Sequence, residues 1–208
     1  MIIVPCEQGS VEWVAARIGI PTASAFDKII TPKTMKLSAS SNGYMCRLLA
    51  EQMLGASLDE GISEWMQRGK DLEDDAVRYY ELQREADTTP VGFILHDSRM
   101  VGCSPDRLVG DDGGLEIKCP SPAVHVANIL EMTTAYTAQV QGALWITGRQ
   151  WWDLLSFHPD LPPALVRVQR DEDFIAVLED AVDEFIIRLT AAKRLLVERG
   201  YIPREMAA

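Results

Sequence analysis

Apolar residues recur at helical spacing over Val11 to Ile18, Ser38 to Leu54, Ile62 to Leu82, Tyr136 to Ile146 and Asp173 to Arg199. Each stretch predicts a helix with one apolar stripe. Short runs rich in β-branched and aromatic residues fall at Val91 to His96, Met100 to Cys103, Arg107 to Val109, Leu115 to Cys119, Trp151 to His158 and Ala164 to Val168. These predict strands. Pro21-Thr22 opens a second helix that Thr22 or Ser24 is able to cap. The order of the runs predicts an α/β domain, a mixed central sheet flanked by helices on both faces. Thr31 to Ser41, with its Ser, Thr and Lys content, reads as a mobile loop, and the residues after Pro203 as a fraying end.

Composition narrows the class. With 208 residues, of which 47% are hydrophobic, the chain is long enough to bury one substantial core, so residues 1–208 are expected to form a single domain. No apolar run reaches the roughly 18 residues of a membrane span, and Met1-Ile2-Ile3-Val4-Pro5 lacks the basic and long apolar regions of a signal peptide. A soluble, cytoplasmic protein with no membrane partner is expected. Cys6, Cys46, Cys103 and Cys119 show no zinc spacing and are expected to stay reduced, and His96, His125 and His158 lack ligand spacing. The net charge of −11 argues superficially against nucleic acid but does not exclude it, because its distribution is uneven. Acids crowd the start of the last helix, from Asp171 to Glu184, while Lys28, Lys33, Lys36 and Arg47 gather in the N-terminal quarter. A nucleic-acid face is therefore expected on the N-terminal and central parts of the chain.

The chemistry concentrates between Ser104 and Pro120. Asp106 precedes Glu116-Ile117-Lys118 by ten residues, and Gly113-Gly114 lies between the two flanking strands as the expected turn. Side chains alternate along a strand, so Glu116 and Lys118 share one face while Ile117 points into the core. Pairing across the turn is able to bring Asp106 to that face. Two carboxylates beside an ammonium suit Mg²⁺ and a phosphate, with the lysine orienting or helping to deprotonate water and stabilising developing charge. The simpler alternative is a hairpin whose charges face water.

Ser104-Pro105-Asp106 followed by Leu115-Glu116-Ile117-Lys118-Cys119-Pro120 resembles the PD-(D/E)XK nucleases, and among them the phage lambda exonuclease, or YqaJ-like viral recombinase, family. Three more blocks match in order: Glu7-Gln8-Gly9 with Trp13, Arg17, Gly19 and Thr22-Ala23-Ser24; Arg68-Gly69-Lys70 with Glu73 and Asp75; and Ala135 to Gln141 with Trp145. The stretch from Pro120 to Tyr136 is shorter than the family pattern, and Arg68 replaces an aromatic residue.

The resemblance implies a restriction-endonuclease-like PD-(D/E)XK core. It further implies a processive, Mg²⁺-dependent 5′→3′ exonuclease on double-stranded DNA ends that releases 5′-mononucleotides and leaves 3′ single-stranded tails. Two Mg²⁺ ions, with Mn²⁺ able to substitute, would be held by Asp106, Glu116, the Ile117 carbonyl and Glu73, with Lys118 and Gln139 completing the catalytic set. Arg17, Ser24 and Ser104 would bind the terminal 5′-phosphate, Met66 or Trp65 would wedge between the last base pairs, and Tyr136 and His125 are further DNA-contact residues. A ring-shaped homotrimer and a phage-type single-strand annealing protein are the implied partners. An endonuclease or single-strand-acting repair nuclease of the same fold is the alternative.

Overall fold

In the computed structural model, residues 1–58 and 64–202 are described, with only the helical backbone for 64–71. In chain order come β1 (Ile2–Val4), α1 (Val11–Arg17), a 3-10 helix (Ala23–Lys28), β2 (Ile30–Thr31), β3 (Lys36–Leu37), α2 (Ser41–Leu54) and α3 (Glu64–Arg84). Then follow β4 (Thr88–Pro90), β5 (Phe93–Leu95), β6 (Gly102–Cys103), β7 (Arg107–Val109), β8 (Gly113–Lys118), α4 (Pro122–Leu130), α5 (Thr133–Thr147), β9 (Trp151–His158), β10 (Leu161–Gln169) and α6 (Glu172–Glu198). Among the described residues, five strands form the main sheet in the order β10-β9-β8-β7-β4. Only the β8–β9 pairing is parallel, and α4 and α5 occupy the crossover between them. The sheet is therefore mixed, as the alternating pattern predicts. A second sheet, β1-β5-β6, carries the segment that leads into Ser104.

Strand alternation divides the core in two. Leu115 and Ile117 turn toward α3, where they pack with Ala76, Val77, Tyr80 and Leu155. Trp152 and Leu154 face the opposite side and join Ala138, Leu144, Phe174, Leu178 and Phe185 from α5 and α6. Asp171 caps α6 by accepting from the Phe174 N–H at 3.0 Å. Helices thus cover both faces, and Glu116 and Lys118 project from β8 toward α5 rather than α3.

The β7–β8 connection departs from the expected turn. Gly113 and Gly114 lie inside β8, and the reversal is made by Gly110-Asp111-Asp112, with Gly110 at φ 51°. The two strand glycines are required for space: a Cβ on either one would overlap the indoles of Trp151 and Trp152 on the neighbouring strand. Arg149 fastens this turn, donating from Nη1 to the carbonyls of Gly110 and Gly113 at 2.8 and 2.6 Å. The stretch expected as a mobile loop contains a small hairpin, β2 with β3, in which Ile30 pairs Leu37 and Thr31 pairs Lys36.

Helix α4 has no counterpart in the sequence reading because its pattern is inverted. Its buried residues are His125 and Asn128, whereas Val124, Val126, Ile129 and Leu130 are 45–81% exposed. The polar face is satisfied by a chain of hydrogen bonds. Asn128 Nδ2 donates to Ser156 Oγ at 3.1 Å, and the His125 ring spans Ser156 Oγ at 2.8 Å and the Pro162 carbonyl at 3.0 Å. A carbonyl only accepts, so Nε2 carries the proton and Nδ1 accepts from the serine. The expected DNA contact at His125 is corrected accordingly: the side chain is fully buried between α4 and the sheet, with both nitrogens engaged.

On the α3 side, Asp153 is fully buried. It accepts two hydrogen bonds from Arg167 at 2.8 Å and one from the Tyr80 hydroxyl at 2.9 Å, with Arg84 at 3.4 Å. Burial, with Asp153 close by, holds the Tyr80 phenol well above its ordinary range. This network ties α3 to β9 and β10. Among the described residues, no helix is long and apolar enough to cross a membrane.

Candidate active site

Asp106 sits one residue before β7, and the β7–β8 register, Arg107 opposite Leu115, sets it across from Glu116. Its Oδ2 accepts from the Ile117 N–H at 2.6 Å, which fixes the carboxylate beside β8. Lys118 Nζ lies 2.8 Å from Glu116 Oε1 and 3.3 Å from Gln139 Oε1, and Gln139 Nε2 donates to Glu116 Oε1 at 2.6 Å. Gln139 reaches these groups from α5, on the same helical face as Tyr136, whose ring centroid is 5.1 Å from Lys118 Nζ. Gln141 turns away and bonds the Gln169 carbonyl and the Asp171 N–H.

The electrostatics are those of a crowded anionic site. Burial, reinforced by Glu116 and Glu73, pushes the Asp106 carboxyl well above the usual carboxylate range, against the opposing pull of the Ile117 N–H and Lys118. Burial works to lower the Lys118 ammonium, but Glu116 and Asp106 outweigh it and the net direction is upward. Two carboxylates thus share one lysine in a water-poor corner, a set of hard oxygen donors with negative charge to spare. That fits a divalent cation. Glu73 is turned to Arg107 at 3.0 Å, and among the described residues no three acidic, histidine or cysteine side chains converge at metal-holding spacing.

A cavity of about 170 Å³ brings Glu116, Lys118 and Gln139 together with Arg17, Ser24 and Ser104. These residues come from α1, the 3-10 helix, the β6–β7 connection, β8 and α5. A larger cavity of about 1420 Å³ adjoins it, sharing Arg17 and Ser24 and extending to Lys28, Arg47 and Arg107. Its lining residues fall between Pro5 and Arg107, so the acidic α6 takes no part in it. Cys103 also borders the small cavity, its thiol driven upward by burial and by Glu116. Trp65 and Met66 fall within α3, but their side chains lie outside the described residues.

Two residues without an assigned role in the sequence reading stand here. Trp13 Nε1 donates to Ser104 Oγ at 3.0 Å, and its ring lies 3.9 Å from the Arg17 guanidinium carbon. Gln8 Nε2 donates to the Pro105 carbonyl at 2.7 Å, bracing the residue before Asp106. The i, i+4 spacing of Trp13 and Arg17 on one helix is the sequence signal that would have found the first.

A family model described as the YqaJ-like viral recombinase domain matches residues 12–150. The alkaline exonuclease LHK-Exo from Laribacter hongkongensis is 34% identical and superposes with a TM-score of 0.83, covering 92% of this chain and 98% of that one. The same enzyme in complex with dAMP gives 35% and 0.82 over the same shares. A phage related exonuclease from Haemophilus somnus 129PT, 17% identical with a TM-score of 0.65 over 83% of this chain and 96% of that one, shares the fold. The uncharacterized protein ExoD of Escherichia coli (strain K12) is 31% identical over 72 residues, 33% of this chain and 79% of that protein.

Proposed function

The chain belongs to the YqaJ-like viral recombinase family, with a PD-(D/E)XK fold, and from that premise we propose that it is a processive 5′→3′ exonuclease on double-stranded DNA ends. One observation carries the reading. Glu116, Lys118 and Gln139 share a single small cavity with Arg17, Ser24 and Ser104. An arginine fork and two hydroxyls suit a terminal phosphate, so a strand end held there would present its first internucleotide linkage to the carboxylate and lysine set. A neighbouring cavity of about 1420 Å³ leaves room for the rest of a duplex end.

Asp106, Glu116, the Ile117 carbonyl and Glu73 are the proposed holders of two Mg²⁺ ions, with Mn²⁺ able to substitute. Such ions, when bound, supply Lewis acidity and charge neutralisation at the scissile phosphate. Lys118, kept as an ammonium at 2.8 Å from Glu116, positions the attacking water and donates to the phosphate oxygens as charge develops. Gln139 holds the Glu116 carboxylate and orients Lys118. Water attacks phosphorus in line, the bond to the 3′ oxygen breaks, and a 5′-mononucleotide leaves. The shortened strand then carries a new 5′-phosphate, which Arg17, Ser24 and Ser104 recapture. The relative solved with dAMP, itself a nucleoside monophosphate, supports that product class.

The uncut strand becomes a 3′ single-stranded tail, the natural substrate of a phage-type annealing protein. A homotrimeric ring is the proposed assembly, and the apolar outward face of α4 supports a form in which part of that surface is covered. Incubation of linear and covalently closed duplex with Mg²⁺ tests the reading. Linear DNA should be degraded and the closed circle should persist; cutting of the circle would replace the exonuclease by an endonuclease.

A further inference from the structure

Ser104 has two oxygen lone pairs and one hydroxyl proton. Trp13 Nε1 donates to that oxygen at 3.0 Å and Arg17 Nη1 does so at 3.4 Å. With both lone pairs occupied, the hydroxyl is left to act as a donor, and a donor bonds a charged phosphate oxygen more strongly than the oxygen of a 5′-hydroxyl. The Arg17 guanidinium carbon sits over the same indole, 3.9 Å from the ring centroid. That contact restrains the fork, so less freedom is lost when it engages a phosphate. Trp13 is itself anchored at both ends of its reach. Its backbone N–H donates to the α1 cap Ser10 at 3.1 Å, and Nε1 is shared with the Gly92 carbonyl at 3.1 Å.

We propose that Trp13 is the positioning residue that makes the small cavity an anion receptor, restraining Arg17 with its ring face and turning the Ser104 hydroxyl into a donor with its N–H. Discrimination between phosphorylated and hydroxyl strand ends therefore depends on the indole as well as on Arg17. The inference rests on the exonuclease reading above and deepens it, assigning how the strand end is selected.

Two substitutions separate the two contributions. Trp13→Phe keeps a flat ring under Arg17 and removes the N–H; Trp13→Leu removes both. The readout is the ratio of initial rates on 5′-phosphorylated and 5′-hydroxyl linear duplex for the full-length chain in Mg²⁺. Trp13→Phe should lower that ratio about fivefold to tenfold, the scale of one hydrogen bond between neutral groups. Trp13→Leu should lower it further. In a Ser104→Ala background, Trp13→Phe should have little additional effect, because the hydroxyl it orients is gone.

Equal losses on both ends for Trp13→Phe would mark a purely structural role and overturn the proposal. So would a full Trp13→Phe effect in the Ser104→Ala background. The same ratio is read without turnover from equilibrium binding of the two duplexes in EDTA. A chain that binds phosphorylated ends preferentially but cuts closed circles would contradict the exonuclease reading and leave the Trp13 test in force. A parent chain that prefers neither end in rate or in binding would refute both.

Discussion

Gln139→Leu removes one amide with two duties while keeping much of its volume on α5. The amide donates to Glu116 Oε1 at 2.6 Å and accepts from Lys118 Nζ at 3.3 Å. Glu116 is buried and keeps its contact with Lys118 at 2.8 Å, so the substitution withdraws one of two cations or donors from a single carboxylate oxygen. A hydrogen bond to a charged group contributes about 1.5–3 kcal/mol, which corresponds to a rate loss of roughly tenfold to hundredfold if the contact is needed in the transition state. Because the proposed grip on the strand end lies elsewhere, at Arg17, Ser24 and Ser104, the loss should fall on kcat and leave KM nearly unchanged. Steady-state digestion of 5′-phosphorylated duplex, with single-turnover rates beside it, measures the split. A Gln139→Leu enzyme with the parent kcat would refute the placement of this amide in the catalytic set. One whose KM alone rises would move Gln139 to substrate binding.

Asp106→Ala should abolish cleavage in Mg²⁺, since it removes one of the two carboxylates of the site, whereas Lys118→Ala should retain metal binding by titration calorimetry while losing turnover. Asp153→Ala strands Arg167 and the Tyr80 hydroxyl next to a buried void and should cost about 3–5 kcal/mol, seen as a fall in Tm of roughly 6–20 °C in thermal unfolding, with the parent Tm refuting the network's importance. Light scattering should find a species of three times 23.1 kDa, and a monomer at micromolar concentration that still digests long tracts would exclude the ring.

The elements read well from sequence are those whose apolar runs are short and buried on both faces. β9 carries the expected bounds, Trp151–His158, and β7 spans Arg107–Val109 as read, because nearly every residue of these runs is buried. α4 was invisible for the converse reason: a helix that buries His125 and Asn128 and exposes valines and a leucine presents no apolar stripe facing inward. The β7–β8 turn was misplaced because Gly113 and Gly114 look like turn residues, and only the indoles of Trp151 and Trp152, nearly forty residues away, explain why a strand needs them.

At the site, strand periodicity put Asp106, Glu116 and Lys118 on one face, and the family resemblance singled them out together with Arg17, Ser24, Ser104 and Gln139. Their convergence on one cavity depends on long-range packing of α1, the 3-10 helix and α5 that no local pattern encodes. The ion pair between Glu73 and Arg107 and the contact of Arg17 with the Trp13 ring belong to the same class of tertiary fact.

The central claim, that the enzyme enters DNA at a phosphorylated 5′ end, is tested most directly on one blunt linear duplex carrying a phosphate at only one of its 5′ ends and a distinct label at each 3′ end. Incubated with Mg²⁺ and sampled over time, the strand bearing the 5′-phosphate should shorten from that end and lose its 3′ label last. Its partner should survive as a full-length single strand. Loss of either 3′ label at the outset, or equal digestion of both strands, would contradict the account.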